Sequence, residues 1–190
     1  MRLFVAFDIP EPLKRSIEKG LQRLRTALPE ARWIPRNNWH ATLKFLGEVP
    51  DDQLPEVEAA VASSLADLPP STSHLTEMGA FPTVDRARVL WVGLWDDSGA
   101  LAGLAESLDK GLGALGFRQE SRPLHPHITV ARIKLPVPVG RLIEQAGPYG
   151  FDQSPFAVTQ ATLYRSHLNR MGAEYQALSS FPAIGVPPAR

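Results

Sequence analysis

Two stretches decide how this chain folds: Trp39-His40-Ala41-Thr42-Leu43-Lys44-Phe45-Leu46 and His125-Pro126-His127-Ile128-Thr129-Val130. In the first, Trp39, Ala41, Leu43 and Phe45 alternate with His40, Thr42 and Lys44, the period of a strand with one buried face. In the second, Ile128 and Val130 alternate with His127 and Thr129 in the same way. Residues two apart on a strand leave the same face, so each stretch presents a histidine and a threonine together.

Working outward, each stretch is preceded by the same elements at nearly the same spacing. Arg2 to Asp8 reads as a strand, and Leu13, Ile17, Leu21, Leu24 and Leu28 follow at helical spacing after Pro10-Glu11-Pro12. Arg88 to Trp95 reads as a second strand. Leu101, Leu104, Leu108, Leu112 and Leu115 form the stripe of a second helix, with Gly116 as a left-handed stop. Two strand–helix–His-x-Thr units of similar length suggest an internal duplication. Asp51 to Leu68 reads as a further helix, capped by Asp51 or Asp52, with Leu54, Val57, Val61 and Leu65 inward. Strands are expected near Ser73–Met78, Phe156–Tyr164 and Ala173–Ser179, a loop over Leu135–Gly140, and a frayed end after Phe181. Short mixed elements without long apolar strands favour α+β over doubly wound α/β.

Composition narrows the function classes. The chain has 190 residues, 44% of them hydrophobic and 21% charged, ordinary for a globular protein. Cysteine is absent, which excludes a disulfide framework, a thiolate nucleophile and a cysteine-based zinc site. Lys+Arg and Asp+Glu both number 20, so a coat for long nucleic acid is disfavoured while local capture of a phosphate is not. No apolar run approaches the ~20 residues that cross a bilayer. Asp8 interrupts the N-terminal apolar run too early for a signal peptide, so a cytoplasmic location is expected.

If the two strands lie side by side about a two-fold axis, two imidazoles and two hydroxyls meet in one cleft. That set suits a cyclic phosphodiester: one imidazole takes a proton from water, and the other gives one to the departing ribose oxygen. The threonines can donate to the non-bridging oxygens as their charge grows. An alternative is a metal pair at His125-x-His127, but no spaced carboxylate ligand set accompanies it.

His40-Ala41-Thr42-Leu43 and His127-Ile128-Thr129-Val130 resemble the paired motifs of the 2H phosphoesterase superfamily. The bacterial and archaeal RNA 2′,3′-cyclic phosphodiesterases, also called 2′-5′ RNA ligases, are the most similar group. The likeness extends to Arg2–Ala6, His40–Glu48, Arg88–Gly93, Arg122–Arg132 and Leu163–Tyr175. It implies one domain over 1–190: a bilobal α+β fold, pseudo-two-fold, with antiparallel sheets flanking a central cleft, helices outside, and two interleaved lobes. It also implies opening of a 2′,3′-cyclic phosphate to a 2′-phosphate, with His40 as general acid and His127 as general base. Thr42, Thr129 and Arg132 would bind phosphate; no metal or cofactor is implied, and run backwards the site would join RNA ends through a 2′-5′ linkage. The expected partners are RNA 3′ ends or nucleotides carrying the cyclic phosphate, and the expected state is a monomer, since one chain completes the cleft.

Strict alternation places Arg132, five residues after His127, on the opposite face; a bulge or strand end after Thr129, or an ion-pair role, would resolve this. Lys44 by the same parity shares the face of His40. Phe7, Trp33 and Trp39 are candidates for stacking a base, with core packing the commoner role for Trp39; Arg165 and Ser166 are candidate substrate contacts, His125 a supporting residue, and His74 and His167 incidental. Two other functions compete: the same chemistry on another cyclic phosphate, such as a nucleotide or an ADP-ribose derivative, or a non-catalytic RNA-binding module.

Overall fold

In a computed structural model, residues 1–147, 150–168 and 172–184 are described. Nine strands form one antiparallel sheet, and five helices accompany it among the described residues. The strands are β1 (Arg2–Asp8), β2 (Arg32–Trp33), β3 (His40–Glu48), β4 (Ser71–Phe81), β5 (Ala87–Asp96), β6 (His127–Val137), β7 (Phe156–Val158), β8 (Gln160–Leu168) and β9 (Ala173–Pro182). Their order is β7-β4-β5-β6-β3-β1-β8-β9, with β2 pairing β6 off this path. The two histidine strands are therefore central neighbours. β1 flanks β3 as β5 flanks β6, the approximate two-fold that the duplicated spacing implies, and the α+β class is the one expected.

The helices form where the leucine stripes predict. α1 (Glu11–Gly20) begins after Pro10, whose carbonyl accepts from the Leu13 and Lys14 amides, both at 3.0 Å. The single helix expected through Leu28 breaks at Leu21, and α2 (Gln22–Ala27) resumes it. α4 (Ala100–Gly113) buries Leu101, Leu104, Leu108 and Leu112, and Gly116 is left-handed at φ 87°. α4 crosses to pack on β3 and on α3 (Leu54–Ser64), so the second unit covers the first. Side chains are interlocked closely there: a Cβ on Gly111 would lie 2.3 Å from Ser64 Oγ. The core is continuous from Leu3 and Val5 through Val57 and Val61 to the α4 leucines, each fully buried aliphatic contributing about 1.5–3 kcal/mol relative to exposure.

Three boundaries differ from the sequence expectation. Asp51 and Asp52 do not cap α3; Pro50 leads into a 3-10 turn over Asp51–Gln53, and the α-helix starts at Leu54. The Leu135–Gly140 stretch is no simple loop: β6 runs on through Val137, and α5 (Gly140–Ala146) starts at Gly140. Pro136 is tolerated because past Arg132 the pairing to β5 thins to Ala87–Val137, so no ladder hydrogen bond is demanded at the proline. Thr159 divides the strand expected over Phe156–Tyr164 between β7 and β8. The expected fraying falls largely on residues 185–190, outside the described residues.

The largest correction concerns parity. Opposite β1, Ala6 pairs with Thr42 but Val5 pairs with Lys44, so Leu43 is an extra residue. Opposite β5, Trp91 pairs with Thr129 but Leu90 pairs with Ala131, so Val130 is extra in the same way. Each bulge puts two consecutive side chains inward, Leu43 with Lys44 and Val130 with Ala131. Lys44 therefore leaves the face of His40 and enters the core at 2% exposure. Its ammonium is bound by the Asp109 carboxylate and donates to the Arg118 carbonyl at 2.7 Å. Asp109 in turn accepts from the Glu120 amide, and these hydrogen bonds hold its carboxyl below the usual carboxylate range, against the opposing effect of burial.

Removing one partner of a buried pair strands the other charge. Asp109→Ala, which leaves the buried Lys44 ammonium without its carboxylate, is expected to lower the unfolding free energy by about 3–5 kcal/mol in a urea titration. A loss under 1 kcal/mol would mean that the pair is solvated.

Candidate active site

The two histidine strands touch through one residue pair, Ala41 with Ile128, both fully buried. The antiparallel register about that pair carries His40 toward Thr129 and Thr42 toward His127. Beyond it the strands part, and a cleft of about 280 Å³ opens. His40, Thr42, His127, Thr129 and Arg132 all line it, with Phe45 and Tyr175 at its wall. All five candidate site residues are thus brought together. The paired bulges bring Arg132 back to the face of His127 and Thr129, and they place Phe45 at the equivalent position of the other strand.

The imidazoles are oriented alike. His40 Nδ1 lies 2.8 Å from the Asn38 carbonyl, and His127 Nδ1 lies 2.7 Å from the His125 carbonyl. A carbonyl only accepts, so each Nδ1 carries the hydrogen, and in the neutral ring Nε2 is the free base. In both motifs the orienting carbonyl belongs to the residue two before the histidine. His125 therefore acts through its backbone, while its ring packs against Trp91 at 5.0 Å between centroids.

Aromatic rings enclose both histidines. Phe4 stacks on His40 at 4.8 Å, and Tyr175 meets it edge-on at 5.1 Å. Tyr164 stacks on Phe4 at 5.3 Å with its ring 6.3 Å from that of His40, and it donates its hydroxyl to Asp8 Oδ2 at 2.7 Å. On the other strand Phe81 meets His127 edge-on at 5.1 Å, and Trp91 lies beside them, 6.3 Å from the His127 ring. The Trp91 indole lies across Gly79, where a Cβ would come within 2.2 Å of the ring, so only glycine admits this packing.

This enclosure sets the electrostatics. Burial disfavours the imidazolium and pushes His40 down to about 4; the Asn38 carbonyl and Asp8 oppose this, while Lys14 and His127 add to it. His127 is also lowered, first by burial and then by the nearby His125 and Arg132, with the His125 carbonyl opposing. Both rings are held below the ordinary histidine value, which favours their neutral forms near pH 7.

The remaining candidates sort by burial. Phe7 and Trp39 are core at 1% and 0% exposure, so neither is placed to stack a base. Trp33 borders an adjoining pocket of about 390 Å³, as does Ser166, whereas Arg165 is the next residue along the strand and faces the other way. His74 lies 3.6 Å from Asp97 and His167 lies 3.2 Å from Gln176, both outside the cleft. Among the described residues, no three His, Cys, Asp or Glu side chains gather as a metal site, and no helix is long and apolar enough to cross a membrane. Sequence reasoning missed Phe4, Tyr164 and Tyr175 around His40 and Phe81 beside His127. Phe4 sits in an unbroken apolar run that offers no alternation to single it out.

Comparison with known proteins agrees with this geometry. Residues 12–170 match the family model of the 2′-5′ RNA ligase superfamily. The RNA 2′,3′-cyclic phosphodiesterase of Methanocaldococcus jannaschii is 31% identical over 95% of this chain and 100% of its own. That of Escherichia coli is 33% identical over 93% of each. Among solved structures, TT0787 of Thermus thermophilus superposes with a TM-score of 0.81 at 30% identity, covering 97% of this chain and 99% of its own. E. coli LigT complexed with 3′-AMP gives a TM-score of 0.74 at 28% identity, covering 96% and 98%. With its paired histidine strands, its cleft and a family match over most of its length, the chain belongs to the 2′-5′ RNA ligase superfamily of 2H phosphoesterases.

Proposed function

We propose that this chain hydrolyses 2′,3′-cyclic phosphates at RNA 3′ ends to 2′-phosphates, without a metal, as a soluble cytoplasmic monomer. One observation carries the reading: two imidazoles, each with Nδ1 bound to a backbone carbonyl, offer Nε2 to the same cleft. The names of the relatives, RNA 2′,3′-cyclic phosphodiesterases, support the substrate class.

His127 Nε2 takes a proton from water as its oxygen attacks phosphorus. The P–O3′ bond breaks, and His40 Nε2 gives its proton to O3′, leaving a 2′-phosphate and a 3′-hydroxyl. Thr42 and Thr129 donate to the non-bridging oxygens, and Arg132 offsets their charge. With a 5′-hydroxyl in place of water, the same movements form a 2′-5′ linkage and release O3′. His40 is too deeply enclosed to hold a proton in the empty cleft at neutral pH. The anionic ester supplies the charge that raises it, so substrate binding arms the acid.

Turnover of an oligonucleotide ending in a 2′,3′-cyclic phosphate, in excess EDTA, is expected to give the 2′-phosphate only. His40→Ala and His127→Ala are each expected to cost ~10²–10⁴-fold, and Thr42→Val or Thr129→Val about 10²-fold. No turnover in EDTA with recovery on adding a divalent ion would replace this mechanism with a metal-based one. Tight RNA binding without hydrolysis, indifferent to both histidine substitutions, would make the chain a binding module. Faster turnover of ADP-ribose cyclic phosphate than of the oligonucleotide would reassign the substrate.

The lowered histidines fix the pH dependence. Catalysis needs one protonated and one neutral ring, and kcat/KM reports the free protein. Both groups titrate below the histidine reference of about 6.5, so kcat/KM is expected to be bell-shaped with its maximum on the acid side of that value. The kcat profile, reporting the bound state, is expected to lie at higher pH. A flat profile, or a kcat/KM maximum above pH 7, would contradict the two-histidine scheme.

A further inference from the structure

The adjoining pocket of about 390 Å³ shares His40, Phe45, Arg132 and Tyr175 with the catalytic cleft, and it adds Arg2 and Arg32. It opens directly off the place where the phosphate reacts. Its three arginines come from β1, β2 and β6, and all three are exposed.

Their arrangement is costly without an anion. Arg32 and Arg132 are direct cross-strand partners, a position at which like charges repel. Among the described residues none of the three has a carboxylate at salt-bridge distance, whereas Arg36 is held by both Glu11 and Glu18. The wall beside them is rigid: Trp33 Nε1 donates to the Leu28 carbonyl at 3.3 Å, and Arg25 covers the indole at 5.3 Å. Burial pushes the Tyr175 hydroxyl up overall, and Arg132, Arg2 and Arg32 all lie near enough to pull against that rise.

We infer that Arg2, Arg32 and Arg132 form a second anion site, which holds the phosphate on the 5′-oxygen of the ribose carrying the cyclic phosphate. This inference rests on the hydrolase reading above. In an RNA chain that phosphate is the diester to the preceding nucleotide; in a free nucleotide it is a monoester. Arg132 lines both spaces, so it stands between the reacting phosphate and this one. A cyclic nucleoside phosphate with no 5′-phosphate leaves the site unfilled. The chain then discriminates a nucleotide at an RNA end from a bare cyclic nucleotide by charge, with no reading of the base.

The test compares adenosine 2′,3′-cyclic phosphate, its 5′-phosphorylated form, and the dinucleotide ApA ending in the cyclic phosphate. The readout is the ratio of kcat/KM with and without the 5′-phosphate, for the native chain, Arg2→Gln and Arg32→Gln. The native ratio is expected to be about ten or more, and each substitution is expected to lower it severalfold to about tenfold, the scale of a charge-assisted hydrogen bond. The dinucleotide and monoester arms tell an RNA chain from a free 5′-nucleotide as the source of the anion. Turnover of all three substrates with a ratio near one, or a ratio unchanged in both variants, would overturn the inference. If no substrate is turned over, the hydrolase reading is what fails. Calorimetric binding of adenosine 2′-phosphate against ApA 2′-phosphate then decides the site: tighter dinucleotide binding, weakened in Arg32→Gln, supports it, and equal binding overturns it.

Discussion

Everything about the cleft follows from one contact. The sheet is held together at its middle by Ala41 against Ile128, and the histidine strands have no further residue pairing between them. A longer ladder would hold β3 and β6 parallel at sheet spacing and leave no room between the imidazoles for a phosphate. One buried pair with a small residue on one side lets two sheet halves share a core while their faces diverge. The approximate two-fold passes through this point, which is why each histidine is set near the threonine of the opposite strand.

The same economy appears in the electrostatics. Among the described residues neither imidazole is flanked by a carboxylate at hydrogen-bond distance; backbone carbonyls orient both. A carbonyl fixes the tautomer without adding a full charge, and the aromatic rings around it penalise the imidazolium. The outcome is a resting cleft that is neutral at its centre and cationic at its rim, where Arg2, Arg32 and Arg132 stand. An incoming phosphate completes the charge pattern that the empty protein lacks.

Most of the architecture was legible because its signals are periodic. The leucine stripe from Leu101 to Leu112, the run Arg2–Asp8 and the repeated His-x-Thr spacing each map onto observed elements with small shifts. What escaped was whatever depends on one residue being out of step. The extra residues Leu43 and Val130 are ordinary strand residues with no glycine to announce a bulge; alternation put Lys44 beside His40, which the structure reverses, and left Arg132 dependent on a bulge after Thr129, which the structure shows at Val130. A sharper reading was available in the repetition itself: both motifs have a residue five positions past the histidine, Phe45 and Arg132, and a shared irregularity reconciles them. The aromatic enclosure of His40 was hidden for another reason. Phe4, Tyr164 and Tyr175 come from opposite ends of the chain, and no local pattern links them.

That last feature bears on how the protein comes into being. β1 is the first strand made, yet its outer neighbour is β8, and β9 closes the sheet beyond it. While the chain is being synthesised, the strand carrying Phe4 can find β3 but must keep its other edge open until the C-terminal strands emerge. His40 remains unshielded until Tyr164 and Tyr175 arrive, so its depressed basicity is acquired last. A nascent chain would therefore carry both histidines long before His40 had its aromatic enclosure, and the finished cleft would form only after β8 and β9 had emerged.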